Sequence, residues 1–344
     1  MSRADRPKIT RRQALRITAV SGASLAFGGG VVAGLWRRAS LHRVSETAIQ
    51  MGTVVTVPVV DPVRDAARAL VRTAFGEMER LEGIFSRHRT DTPMARLNDS
   101  GSLRGTPSEL LEVMHRATAY SDMSGGAFDV TMAPLLALYT PHLDATGQMP
   151  SAAEIDAALA LVYYRRVRID DDAVTFEDPR MSVTLDGIAK GYIVDRTVAK
   201  LVAGGAERVL VNAGGDMASG GSGSTDDPWT IGIQDPGDAD VPLDVVRLDG
   251  NCIATSGDYM QAFTADRRHH HIIDPRTGRS PDHTSSVSVV TNSAMDADAL
   301  STTAMVLGAS EGLALLDQLE DTEGVIVTKT GERLETAGLS RLTT

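Results

Sequence analysis

The feature that most constrains this fold is a series of short β-branched runs that do not alternate with helices. Met51–Val60 (MGTVVTVPVV), closed by Asp61-Pro62, reads as a strand. Val209–Asn212, Trp229–Ile233, Val245–Leu248, Ser286–Thr291 and Gly324–Thr328 read likewise, with Gly/Ser/Asp loops such as Ala218–Pro228 between some of them. Tyr164–Phe176 alternates around a turn at Asp170–Asp172, and Met181–Leu185 forms a further strand before a glycine turn. Helical spacing covers Asp65–Phe85, Ser108–Ser121 with Ser108 as N-cap, and Ser151–Leu161 with Ser151 and Glu154 in capping-box spacing. It returns in Ala189–Val202, Asp298–Leu307 and Ser310–Leu319. Parallel sheets need a crossover of a dozen or more residues at each step, and short turns deny that to several of these strands. The expected class is α+β: mixed, largely antiparallel sheets with packed helices, in one large domain over residues 44–344.

Charge separates that body from what precedes it. The chain of 344 residues carries −11 overall, yet residues 1–43 hold nine Lys/Arg and one acid. The remaining 25 basic and 44 acidic residues give the body −19. Nucleic-acid phosphates would repel such a surface, so no nucleic-acid partner is expected. The single cysteine, Cys252, excludes an internal disulfide and a cysteine-built zinc site. In the basic segment Arg11-Arg12 precedes Ile17–Trp36, an uncharged run containing five glycines. Paired arginines before a mildly apolar run resemble a twin-arginine export signal, which implies a periplasmic protein exported already folded. The alternative is an anchor to the inner membrane.

Four segments of the body concentrate residues able to do chemistry. Leu185–Tyr192 breaks at Gly187 and opens a helix at Lys190; its N–H groups and lysine suit a phosphate, or Lys190 is a solvated surface residue. Asn212-Ala213-Gly214-Gly215-Asp216 is a close backbone approach to a ligand or a tight strand-to-strand turn. His269-His270-His271, read as a strand, turns at most two histidines to one face and lacks a third zinc ligand. Asp298 and Thr302 stand four apart, on one helical face, and offer oxygens to a hard cation; equally, the acids mark a helix start.

In order, the chain contains Met51-Gly52-Thr53, Phe85-Ser86-Arg87 with Leu97-Asn98, and Gly126-Ala127-Phe128-Asp129-Val130-Thr131. Gly187-Ile188-Ala189-Lys190-Gly191-Tyr192, Asn212–Asp216 and Thr255-Ser256-Gly257-Asp258-Tyr259 follow, then His271–Gly278 and Asp298-Ala299-Leu300-Ser301-Thr302. Eight such segments in this order resemble the ApbE-type FAD:protein FMN transferases, or flavin transferases. The resemblance spans about Met51–Leu307.

That resemblance implies an exported, Mg²⁺-dependent enzyme, its domain catalytic, that moves the FMN part of FAD onto a threonine hydroxyl and releases AMP. FAD would be its substrate, and an acceptor flavoprotein, a subunit of a membrane redox complex, its partner. The family's metal ligands fall at Asp298, Thr302 and the Gly187 carbonyl. Its flavin-nucleotide contacts fall at Met51, Ala127, Phe128, Asp129, Lys190 and Ile272. Many members carry an acid where Thr184 stands, so Asp186 either replaces that contact or approaches the metal. His271 is the candidate to accept the threonine proton, with activity then falling on acidification through about 6.5; alternatively it only hydrogen-bonds the flavin. FAD pyrophosphatase and non-catalytic FAD delivery are the competing functions.

Overall fold

The computed structural model describes residues 41–146, 148–221 and 227–343, and in 140–146 the backbone alone. The paired arginines and apolar run lie outside the described residues. After β1 (His42–Gln50) and β2 (Thr53–Asp61) come α1 (Arg64–Phe85), α2 (Pro93–Ser100), β3 (Ser102–Arg104) and α3 (Ser108–Met123). A 3-10 turn at Val130–Met132 leads into α4 (Ala133–Thr146), α5 (Ala152–Leu159), β4 (Val167–Ile169) and β5 (Ala173–Phe176). Then follow α6 (Ala189–Ala203), β6 (Arg208–Ala213), β7 (Asp216–Gly220), β8 (Trp229–Gln234), β9 (Pro242–Leu248), β10 (Cys252–Gly257) and β11 (Thr284–Thr291). The chain closes with α7 (Ala294–Leu307), α8 (Ala309–Leu316), β12 (Glu323–Thr328) and β13 (Arg333–Glu335).

Eight strands make one sheet in the order β1-β2-β6-β7-β10-β11-β12-β13, beside a β3-β5-β4 sheet and a β8-β9 ribbon. Every pairing among them is antiparallel, and the fold is α+β in a single domain. The period-2 alternation of strand side chains builds two cores from one sheet. On β6, Val209 and Val211 enter the core beneath the helices, whereas Leu210 enters a second core against the β8-β9 ribbon. Ile326 and Val325 of β12 divide in the same way. Each fully buried side chain of this size contributes about 1.5–3 kcal/mol over its exposed state. On the helical face α1 packs on β1 and β2, α6 on β6 and β7, and α7 on β10 and β11. Among the described residues no helix is long and apolar enough to cross a membrane.

Several local expectations are corrected. Met51 does not begin a strand: Met51 and Gly52 form the β1–β2 turn with φ of 52° and 70°, the positive values a two-residue hairpin demands. Pro107, not Ser108, is the N-cap of α3, and no side chain caps that helix. Met181–Leu185 is not a strand; the Asn98 amide holds it, with Oδ1 accepting from the Val183 N–H and Nδ2 donating to the Val183 carbonyl. The three histidines lie in a loop, His270 fully buried and His271 half-buried, so two of them turn inward. The Ser151/Glu154 capping box is present.

Candidate active site

The site forms where the β6–β7 turn, the start of α6, the second turn of α7 and the end of β10 converge. Gly214 and Gly215, at φ of 65° and 110°, make the tight turn between β6 and β7 that places Asp216 at the head of β7. There Asp216 Oδ2 stands 2.7 Å from Lys190 Nζ; Asp216 is 1% exposed and the Lys190 side chain 26%. The Gly214 N–H donates to the Val54 carbonyl, which brings the Met51 turn to the same end of the sheet.

Helix α7 begins at Ala294, so Asp298 lies in its second turn, not at its start. The helix-start reading therefore passes to Asp296, which pairs with Arg116 at 2.9 Å away from this cluster. Asp298 is 5% exposed and accepts the Gly191 N–H at 3.1 Å. One turn on, Thr302 Oγ1 sits 3.1 Å from Ser256 Oγ, which also meets Ser301 Oγ at 2.9 Å. A Cβ placed on Gly187 would lie 3.2 Å from Thr302 Oγ1 and 3.5 Å from the Phe128 ring. Asp298, Thr302, Gly187, Phe128 and Lys190 are thus brought together.

One ammonium serves two buried carboxylates, so ionising both is unfavourable. Burial and then the Asp216 charge push the Asp298 pKa well above the usual carboxylate range, despite Lys190 and the Gly191 N–H. Burial raises Asp216 as well, against the pull of Lys190. Burial works against the Lys190 ammonium, but Asp216 and then Asp298 more than offset it and hold the lysine protonated. Among the described residues no group of three His, Cys, Asp or Glu side chains converges on a cation. The donors present are oxygens: a carboxylate, hydroxyls and main chain. Such a set fits a hard divalent ion that completes its shell with water and phosphate, as Mg²⁺ does.

His271 borders this cluster: its loop N–H donates to the Gln261 carbonyl, and its Nδ1 is buried without a hydrogen-bond partner. Burial, then His270 and the Lys190 charge, lower its pKa to about 4. Ile272 beside it is buried. Other expected contacts are engaged within the protein. Asp129 accepts from the Thr131 N–H and hydroxyl and from the Tyr164 N–H, so its carboxylate anchors its own loop. Ala127 is buried beside it. The Thr184 hydroxyl accepts from the Asp186 N–H, and Asp186 pairs with Arg87 at 3.0 Å. The Met51 N–H donates to Glu82.

Sequence reasoning assigned no role to Asp216 or Ser256, although both lie inside segments that carried the resemblance. A lone carboxylate after Gly-Gly, and a serine in a strand, gave no spacing that paired them with Lys190 or Thr302.

Comparison with known proteins points to one family. The ApbE family model matches residues 51–326. An FAD:protein FMN transferase of Klebsiella pneumoniae is 32% identical over 292 residues, 83% of this chain and 89% of the relative. The crystal structure of the ApbE protein of Thermotoga maritima aligns with a TM-score of 0.80 at 28% identity, covering 88% of this chain and 100% of that one. The apo flavinyl transferase ApbE of Pseudomonas stutzeri aligns at 0.77 with 31% identity, covering 88% and 97%. With the family model matching residues 51–326 and the fold shared over 88% of its length, this chain belongs to the ApbE family.

Proposed function

We propose that this chain is an FAD:protein FMN transferase that joins FMN to a threonine hydroxyl of an acceptor flavoprotein and releases AMP. The observation that carries the reading is the convergence of Asp298, Thr302, Gly187 and Lys190, where two buried carboxylates share one ammonium. Mg²⁺ held by the Asp298 carboxylate, the Thr302 hydroxyl and the Gly187 carbonyl would neutralise pyrophosphate oxygens and make phosphorus more electrophilic. Lys190, held protonated, adds a fixed positive charge toward the same group. Threonine oxygen bonds to the flavin-side phosphorus, the bond from that phosphorus to the bridging oxygen breaks, and AMP leaves with that oxygen. His271 stays neutral at pH 7, the form of the ring that can accept the hydroxyl proton.

The test is product analysis after the protein meets FAD and Mg²⁺ with and without an acceptor domain. Transfer predicts AMP release only with acceptor and none in excess EDTA. AMP with free FMN in the absence of acceptor would mark a pyrophosphatase, and intact FAD under all conditions a binding protein.

Arg11-Arg12 ahead of the uncharged run supports twin-arginine export to the periplasm, where a membrane redox subunit is the proposed acceptor. Arg11→Lys with Arg12→Lys should strand the protein in the cytoplasm. Undiminished export of that variant would contradict this route.

A further inference from the structure

The two helices that build the site meet in a regular register. Gly187 lies against Thr302, the Gly191 N–H donates to Asp298, and Asp195 accepts the Ala294 N–H at 2.7 Å. Each step of four residues forward on the α6 side is matched by four backward on α7. One face of the first helix therefore runs antiparallel along one face of the second. At the centre, a Cβ on Gly191 would lie 2.1 Å from the Ala294 carbonyl oxygen, so the two backbones touch there.

Asp195 completes the far end of this contact. A helix start leaves four N–H groups without intrahelical acceptors. In α7 the Ala294 N–H donates to Asp195 Oδ1 at 2.7 Å and the Met295 N–H to Asp195 Oδ2 at 2.9 Å. The Asp296 N–H donates to Ser293 Oγ at 3.2 Å, and the helix's own ladder starts one residue on, where the Ala297 N–H donates to the Ser293 carbonyl at 2.9 Å. The Ser293 hydroxyl itself donates to Asp195 Oδ2 at 2.8 Å. One carboxylate from α6 thus satisfies two of the four N–H groups and the capping hydroxyl, where the helix dipole also favours negative charge.

We propose that Asp195 is a positioning residue for the cation site. By fastening the first turn of α7 to α6, it sets how Asp298 and Thr302, one and two turns farther on, stand against Gly187. The inference rests on the Mg²⁺ reading above. Removing a group that orients metal ligands commonly weakens metal affinity by about 10–100-fold.

Mn²⁺ binding to the full chain, followed by its EPR signal, measures this without catalysis. Asp195→Ala should raise the Mn²⁺ dissociation constant by about 10–100-fold, and Asp195→Asn, which keeps one acceptor oxygen, by less. Val198→Ala serves as the stability control, because Val198 lies on the same helix and packs against Gly220 of β7. It should melt earlier with unchanged Mn²⁺ affinity. A dissociation constant for Asp195→Ala no different from that of Val198→Ala would overturn the proposal. Should Asp195→Ala fail to fold, Asp195→Asn at wild-type affinity would overturn it equally. Asp298→Ala separates the two ideas: if it too binds Mn²⁺ like wild type, the metal reading fails and this inference with it. Loss of Mn²⁺ in Asp298→Ala with none in the Asp195 variants overturns the positioning role alone.

Discussion

Lys190 Nζ lies 2.7 Å from Asp216 Oδ2, so the lysine that opens α6 is held by the turn between two strands. Asp216→Ala would leave that ammonium without its partner. Breaking a fully buried pair costs about 3–5 kcal/mol, and partial solvent contact at Lys190 reduces this to about 2 kcal/mol. The melting temperature should fall by several degrees, at about 2–4 °C per kcal/mol in a chain of this size. Lys190→Met combined with Asp216→Ala should melt above Asp216→Ala alone. Additive losses in that double-variant cycle would show the pair to be uncoupled.

Gly191→Ala is expected to damage activity more than its size suggests. Its methyl would meet the Ala294 carbonyl carbon at 2.5 Å and Met295 Cα at 2.7 Å, which are backbone atoms with no rotamer to yield. Either α6 and α7 separate, or the Gly191 N–H leaves Asp298. The variant should melt several degrees lower and need more Mg²⁺ for half-maximal transfer. Wild-type Mg²⁺ dependence would show that the close crossing does not govern the site.

The structure moves the expected acid limb. His271 is held neutral by burial down to about pH 4, not 6.5, so transfer should be flat from pH 6 to 8 as far as this residue governs it. His271→Ala should lower single-turnover transfer by about 10²–10⁴, with FAD affinity, read by fluorescence quenching, nearly unchanged. Equal losses of affinity and rate would reduce His271 to a flavin contact.

His270 makes a related prediction about stability. Burial lowers its pKa to about 4, with its Nε2 near the Pro281 carbonyl. Between that value and the unfolded value near 6.5 the unfolded chain binds more protons than the folded one, so stability rises with pH across this window. Acidification from 7 toward 4 should therefore lower the melting temperature, and His270→Asn should flatten that slope. An unchanged slope would assign the acid sensitivity to other groups.

Most of the longer strands and helices were legible because hydrophobic period and turn residues are local signals, but β1 (His42–Gln50) and α4 (Ala133–Thr146) were not read. The β7 and β10 strands were not read, although their residues lie in recognised segments: Asp216-Met217-Ala218 and Ile253-Ala254-Thr255 are too short and mixed for a period to emerge. The start of α7 was placed four residues late, because the Asp296 and Asp298 pair reads as the helix start while the cap is Ser293. That error made Asp298 look like an exposed helix-start acid when it is buried in the second turn. Spacing did pair Asp298 with Thr302, since that relationship is internal to one helix. The contacts of Lys190 with Asp216, Gly191 with Asp298 and Arg87 with Asp186 join distant segments, and no local pattern encodes them.

The most direct test of the account is the intact mass of an acceptor domain after incubation with FAD, Mg²⁺ and this protein, run in parallel with Asp298→Ala. The account predicts an acceptor heavier by one FMN phosphoester, located to a threonine by peptide fragmentation, with Asp298→Ala giving none. An unmodified acceptor beside consumed FAD, or equal modification by Asp298→Ala, would contradict it.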